Sequence, residues 1–110
     1  MPEKRTCRRV PLDVYLNKFI KGVPFMARAR DISPEGIFLT RLLEPQADDG
    51  RVGVQFQLPG TREVIYAEGE VVRDANRGGR APGSGIRFTL ITEYHRRLIE
   101  RYIARHQACA

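Results

Sequence analysis

Along much of this chain, apolar residues recur at every second position. Val10-Pro11-Leu12-Asp13-Val14-Tyr15-Leu16-Asn17 alternates in this way, which is the period of a strand with one face buried. Lys21-Gly22-Val23-Pro24 predicts a turn, after which Phe25 to Ile32 alternates again with Arg28 and Arg30 on the face opposite Ala27 and Ala29. Ile37-Phe38-Leu39-Thr40 predicts a short buried strand. Val52, Val54, Phe56 and Leu58 mark another, closed by Pro59-Gly60. A long β-rich run covers Glu63 to Arg73, where Gly69 marks a bulge or bend, and Gly85-Ile86-Arg87-Phe88 predicts the last strand. Between these runs, Glu44 to Gly50 and Asp74 to Ser84 are rich in turn residues and predict loops.

After Thr92 the period changes. Leu98, Ile99, Tyr102 and Ile103 form one stripe at helical spacing, with Arg97, Glu100, Arg101 and Arg105 on the wet side. Thr92 is the expected N-cap and Glu93 suits the first turn, so a helix is predicted over about 93–106. Roughly six short strands followed by one helix predict a mainly β fold. The expected architecture is a six-stranded antiparallel β-barrel with one C-terminal α-helix. Two units of organisation are expected: an N-terminal segment over residues 1–9 and the barrel with its helix over 10–110.

The 110 residues allow one domain and one core. The charged start of the chain carries no apolar run, which predicts no secretory signal. No apolar stretch approaches the ~20 residues of a membrane span. A cytoplasmic location is therefore expected, with Cys7 and Cys109 as free thiols.

The net charge of +6 invites a nucleic-acid reading, but its distribution is uneven. Residues 1–30 carry a net +6, residues 31–70 a net −5 and residues 71–110 a net +5. The aromatic residues are expected mostly at core positions, with no stacking platform of the kind RNA-binding sheets present. RNA or DNA binding therefore ranks below the alternatives.

Enzymatic chemistry finds no support. His95 and His106 both fall in the predicted helix, about three turns apart, and are expected to face solvent or cap helix ends. There is no paired-carboxylate motif, phosphate loop or nucleophile elbow. No catalytic residue, metal site or cofactor is expected.

Two features remain. Arg5-Thr6-Cys7-Arg8-Arg9 places arginines at i and i+4, a spacing that brings both to one side in an extended or a helical segment. Alone, this reads most simply as a solvated basic tail. Asp31-Ile32-Ser33-Pro34-Glu35-Gly36 puts Asp31 and Ser33 on one face at a strand end, before a sequence suited to a type I turn. Alone, it is a good β-turn. Asp31 beside Ser33 adds a carboxylate able to accept guanine N1–H and N2–H, with a hydroxyl for a phosphate or base. Gly36 is expected to give clearance to a ligand.

Taken together and in this order, Arg-x-x-x-Arg (Arg5, Arg9) and Asp-x-Ser-x-x-Gly (Asp31, Ser33, Gly36) resemble the PilZ domain family. Looser matches at Val71-Val72-Arg73, at Gly85-Ile86-Arg87-Phe88 and in the terminal helix extend the resemblance over essentially the whole chain. It implies a six-stranded barrel that binds the bacterial second messenger cyclic di-GMP. Arg5 and Arg9 would close over the ligand, contacting guanine O6/N7 edges and phosphates and stacking on a base. Asp31 and Ser33 would hold it from the strand end, with Gly36 leaving room. Arg8 is an additional candidate phosphate contact outside the pattern, and Arg87 a further candidate.

The function so implied is a non-enzymatic sensor or adaptor that passes the signal to an effector protein, in motility or biofilm regulation among other processes. Two alternatives stand beside it: an adaptor of the same fold that works without nucleotide, and a basic barrel that binds RNA or DNA.

Overall fold

The computed structural model describes residues 9–41, 50–72 and 83–106. Arg5, Arg8, both cysteines and most of the two expected loops lie outside the described residues. The elements are β1 (Val10–Pro11), β2 (Tyr15–Ile20), β3 (Val23–Ser33), β4 (Gly36–Arg41), β5 (Arg51–Gln57), β6 (Val64–Val72), β7 (Gly83–Ile91) and α1 (Glu93–His106).

All pairings are antiparallel, and they run β3-β2-β5-β6-β7-β4 and back from β4 to β3. The six strands therefore close on themselves, which removes the exposed edges an open sheet would present. β1 is the extra strand. It pairs with β3 at Val10↔Ile32 and Pro11↔Asp31, while β2 pairs further along the same strand from Tyr15↔Arg28 to Ile20↔Val23. The alternating run from Val10 to Asn17 is thus two strands rather than one. The break between them is bridged by hydrogen bonds from Leu12 N–H to the Arg30 carbonyl and from Ala29 N–H to the Val14 carbonyl. The β2–β3 turn is also tighter than expected. Only Lys21 and Gly22 form it, both with positive φ (53° and 80°), the mirror-image turn that suits a two-residue hairpin.

The barrel interior is filled by Leu16, Ile20, Ala27, Ala29, Ile32, Ile37, Leu39, Val54, Phe56, Ile65, Ala67 and Ile86, all buried. Lys18 shares the inward side of β2 with Leu16 and Ile20 and is buried too. Its place inside was not evident from residue type. The aromatic residues do not fill the core as expected. Of the nine, only Phe56 and Tyr102 belong to it, and Tyr15, Tyr66 and Tyr94 are exposed. Tyr15 and Tyr66 fall on the outward phases of β2 and β6, and Tyr94 lies in the first turn of the helix.

The helix spans 93–106 as the periodicity predicts, and Ile99, Tyr102 and Ile103 bury its apolar stripe in the common core. Thr92 Oγ1 accepts the His95 N–H at 3.1 Å, the N-cap bond that satisfies one of the first-turn donors. Gly69 does mark a bulge: the β6–β7 register shifts between Glu68 and Gly69. A Cβ there would stand 2.3 Å from the Arg87 carbonyl oxygen. No helix among the described residues is long and apolar enough to cross a membrane.

Candidate functional site

β3 is regular up to Ala29, with Ala27 and Ala29 inward and Arg28 and Arg30 outward. Against β4 the register then shifts between Ala29 and Asp31. This bulge inserts one residue, so Arg30 and Asp31 both lie off the core side before Ile32 returns to it fully buried. The carboxylate of Asp31 is thereby delivered to the outer wall, half-exposed, where β1 crosses β3.

That crossing explains its partner. Pro11 pairs with Asp31, and Arg9 sits immediately before β1. Arg9 Nη1 donates to Asp31 Oδ1 at 2.5 Å, joining residues 22 positions apart. The last arginine of the N-terminal pair and the first residue of the turn motif are therefore in direct contact. Both side chains keep solvent access, 54% for Arg9 and 31% for Asp31, so a third group can reach them. Asp13, a short step along the chain, is held differently. Arg28 grips it through Nε at 2.8 Å and Nη2 at 3.1 Å. These bonds and the charge of Arg28 hold the Asp13 carboxyl below the usual carboxylate range.

Ser33 and Gly36 face each other across the β3–β4 turn, as the last pair of that ladder. The Ser33 hydroxyl is buried and occupied. It accepts the Glu35 N–H at 3.2 Å and donates to the Gly36 carbonyl at 3.4 Å. The turn is tied in turn to β7, because Phe88 N–H donates to the Glu35 carbonyl at 2.8 Å. Gly36 is required for a reason the sequence did not reveal. Its φ is not in the left-handed region, but a Cβ there would stand 2.2 Å from the Ile86 carbonyl oxygen. The glycine lets β7 approach; the space is filled by protein backbone.

Gly36 pairs with Arg87 on β7, and Arg87 Nη2 donates to Glu70 Oε1 at 2.9 Å. Arg87 is exposed and on the same outer wall, two strands from Ser33. Phe38 lies between the two rows. It pairs with Asp31 on one side and Gly85 on the other, and its ring is half-buried against β7. The outer wall therefore carries Asp31, Ser33, Phe38 and Arg87 on three adjacent strands, with Arg9 reaching in from the start of β1.

The two histidines have structural partners. His95 Nδ1 accepts the Tyr66 N–H at 3.3 Å, satisfying a β6 donor just beyond the point where pairing with β7 ends at Ala67↔Ile91. His106 stacks on Tyr102 with ring centres 4.1 Å apart and lies 3.0 Å from the Tyr102 carbonyl oxygen through Nδ1. Among the described residues no group of three His, Cys, Asp or Glu could hold a metal ion. A groove of about 410 Å³ opens elsewhere, where β2 and β5 diverge, lined by Tyr15, Asn17, Met26, Gln55, Gln57 and Val64 among others. Its lining has no charged side chain and offers nothing to a phosphate.

Comparison with known proteins agrees with this fold. The model of the PilZ domain matches residues 3–105. Among solved structures, the Bacillus subtilis inhibitor of motility MotI/DgrA is similar, with a TM-score of 0.80 at 16% identity. The match covers 96% of this chain and 52% of that one, so the chain spans about half the length of this structural relative. No curated protein matches.

Proposed function

The chain belongs to the PilZ domain family, and we propose that it is a binding module for cyclic di-GMP that signals to an effector protein. PilZ domains bind and adapt; the match indicates no catalytic family. One observation carries the reading: Arg9, from the N-terminal arginine pair, meets Asp31, from the turn motif, on an accessible outer wall. Those two groups supply what a guanine nucleotide needs, a bidentate cation for O6/N7 or phosphate and a carboxylate for N1–H and N2–H.

In this mechanism Asp31 is a fixed half-site, aimed by the Arg30 bulge and braced by the Ser33 turn. The segment over residues 1–9 supplies the other half. When the ligand arrives, Arg9 turns from Asp31 towards the ligand's guanine edge or phosphate, Arg5 joins it, and Arg8 is an additional phosphate contact. Ser33 contributes its hydroxyl only by exchanging one of its turn bonds, so its first role is to hold the turn. Gly36 acts by letting β4 and β7 close up beneath the site. Closure of the N-terminal segment over the ligand creates the surface that an effector protein reads, a local ordering with a distant readout. The structural relative is named as an inhibitor of motility, which makes motility control one candidate output, in the cytoplasm.

Generic nucleic-acid binding fits less well. Two of the three exposed tyrosines sit beside carboxylates, with Tyr66 donating to Glu68 at 3.0 Å and Tyr94 to Glu63 at 2.8 Å, and those charges repel a phosphate backbone. The Arg28 guanidinium over the Tyr15 ring is already paired with Asp13. Hydrogen exchange tests the closure mechanism. Adding cyclic di-GMP is expected to raise protection over residues 1–9; protection gained elsewhere and not there would rule that mechanism out.

A further inference from the structure

Phe38 is the outer-wall residue for which packing gives no sufficient account. Its neighbours Ile37 and Leu39 are fully buried and fill the inward positions of β4, so the barrel interior does not need a third large side chain here. Instead Phe38 faces outward, directly across from Asp31 in the β3–β4 register. Its ring lies over two glycines of β7. A Cβ on Gly83 would stand 2.8 Å from ring carbons Cε2 and Cζ, and one on Gly85 would stand 3.8 Å from Cδ1. Glycines two apart on one face of a strand weaken it. Here they let an aromatic ring lie close to the sheet beside an accessible carboxylate.

We propose that Phe38 is a ligand-binding residue, the platform on which the guanine held by Asp31 stacks. The proposal rests on cyclic di-GMP being the ligand. A guanine bound through its N1–H and N2–H edge to Asp31 must extend its rings away from that carboxylate. Phe38 lies one strand spacing over, about 4.8 Å, a distance comparable to the reach of a purine from that edge. The base then rests on the phenyl ring, a contact that uses its flat face and leaves its edges to Asp31 and to the guanidinium of Arg9.

Three variants test the assignment by titration with cyclic di-GMP, each checked for an unchanged fold by circular dichroism. Phe38→Leu keeps an apolar side chain over the glycines but has no ring face. Its affinity is expected to fall about tenfold, in line with the loss of one base–aromatic stack, while thermal stability without ligand stays close to wild type. Phe38→Ala is expected to lose at least as much. Phe38→Trp is expected to retain affinity, and because the chain has no tryptophan, its fluorescence reports directly on the site and should change on ligand addition. Wild-type affinity in Phe38→Leu, or an unresponsive tryptophan in a variant that binds, overturns the assignment and leaves the ligand intact. Failure of the wild-type protein to bind cyclic di-GMP removes the ligand and the platform together.

Discussion

Arg9 and Asp31, 22 positions apart in sequence, share a 2.5 Å charge-assisted hydrogen bond on the outer wall of the barrel. The bond depends on β1, which pairs Pro11 with Asp31 and so brings Arg9 to the turn motif. Because both partners are substantially exposed, the pair contributes little to folding, and a double-mutant cycle on unfolding is expected to give a coupling of no more than ~1 kcal/mol. In ligand binding the same residues should count for far more. Arg9→Ala and Asp31→Ala are each expected to weaken cyclic di-GMP binding by ~1–3 kcal/mol, the scale of one bidentate base contact. Equal losses in stability and binding would mean that the pair is structural.

Gly36 makes the opposite prediction. Since a Cβ would press against the backbone carbonyl of Ile86 at 2.2 Å, Gly36→Ala should force β4 and β7 apart. The expected cost is ~1–3 kcal/mol of stability, as for other overpacked sites, read from denaturant unfolding without ligand. An unchanged midpoint would return Gly36 to the role of ligand clearance.

The cap at Thr92 is testable in the same way. Thr92→Ala removes the acceptor for the His95 N–H and should cost about 1 kcal/mol, whereas Thr92→Ser should cost little. Because His95 also accepts the Tyr66 N–H, the alanine variant should speed amide exchange at Tyr66 along with the first helical turn.

The tyrosines predict how stability depends on alkaline pH. Burial raises Tyr102 above the ordinary value of 10.0. Burial and then the hydrogen bond to Glu68 raise Tyr66, and the hydrogen bond to Glu63 first of all raises Tyr94. A raised folded-state value favours the neutral phenol in the native protein. Its stabilising contribution is therefore complete below about pH 10, where unfolded tyrosine titrates, and is lost as pH rises through the higher folded values. Stability should fall above that point, and Tyr102→Phe should lessen the fall. Tyrosinate absorbance that rises fully at the free-tyrosine pH would contradict this.

Much of the fold was legible because its signals are local. The period-two runs marked the strands, Thr92 and the stripe from Leu98 to Ile103 marked the helix, and Gly69 marked its bulge. What escaped depends on pairing. Nothing in the run from Val10 to Asn17 announces that it breaks at Leu12 so that β1 and β2 can both join β3. Nor does Arg30 look like an inserted residue, although its bulge is what turns Asp31 outward. The site motif was legible as a set of residue types, but roles within it were not. Ser33 is occupied by its own turn, and Gly36 answers to Ile86 on a strand fifty residues away. Phe38, read as part of a buried strand, faces out because the inward phase belongs to Ile37 and Leu39. Residue-by-residue pattern gives the phase of a strand only until a bulge resets it.

Isothermal titration calorimetry of the folded wild-type protein with cyclic di-GMP tests the central claim most directly. Saturable binding is expected, weakened in Arg9→Ala and Asp31→Ala and only modestly dependent on salt, since a two-phosphate ligand releases few counterions. No measurable heat at any temperature where the protein is folded, confirmed by the absence of any ligand-induced rise in melting temperature, would contradict it.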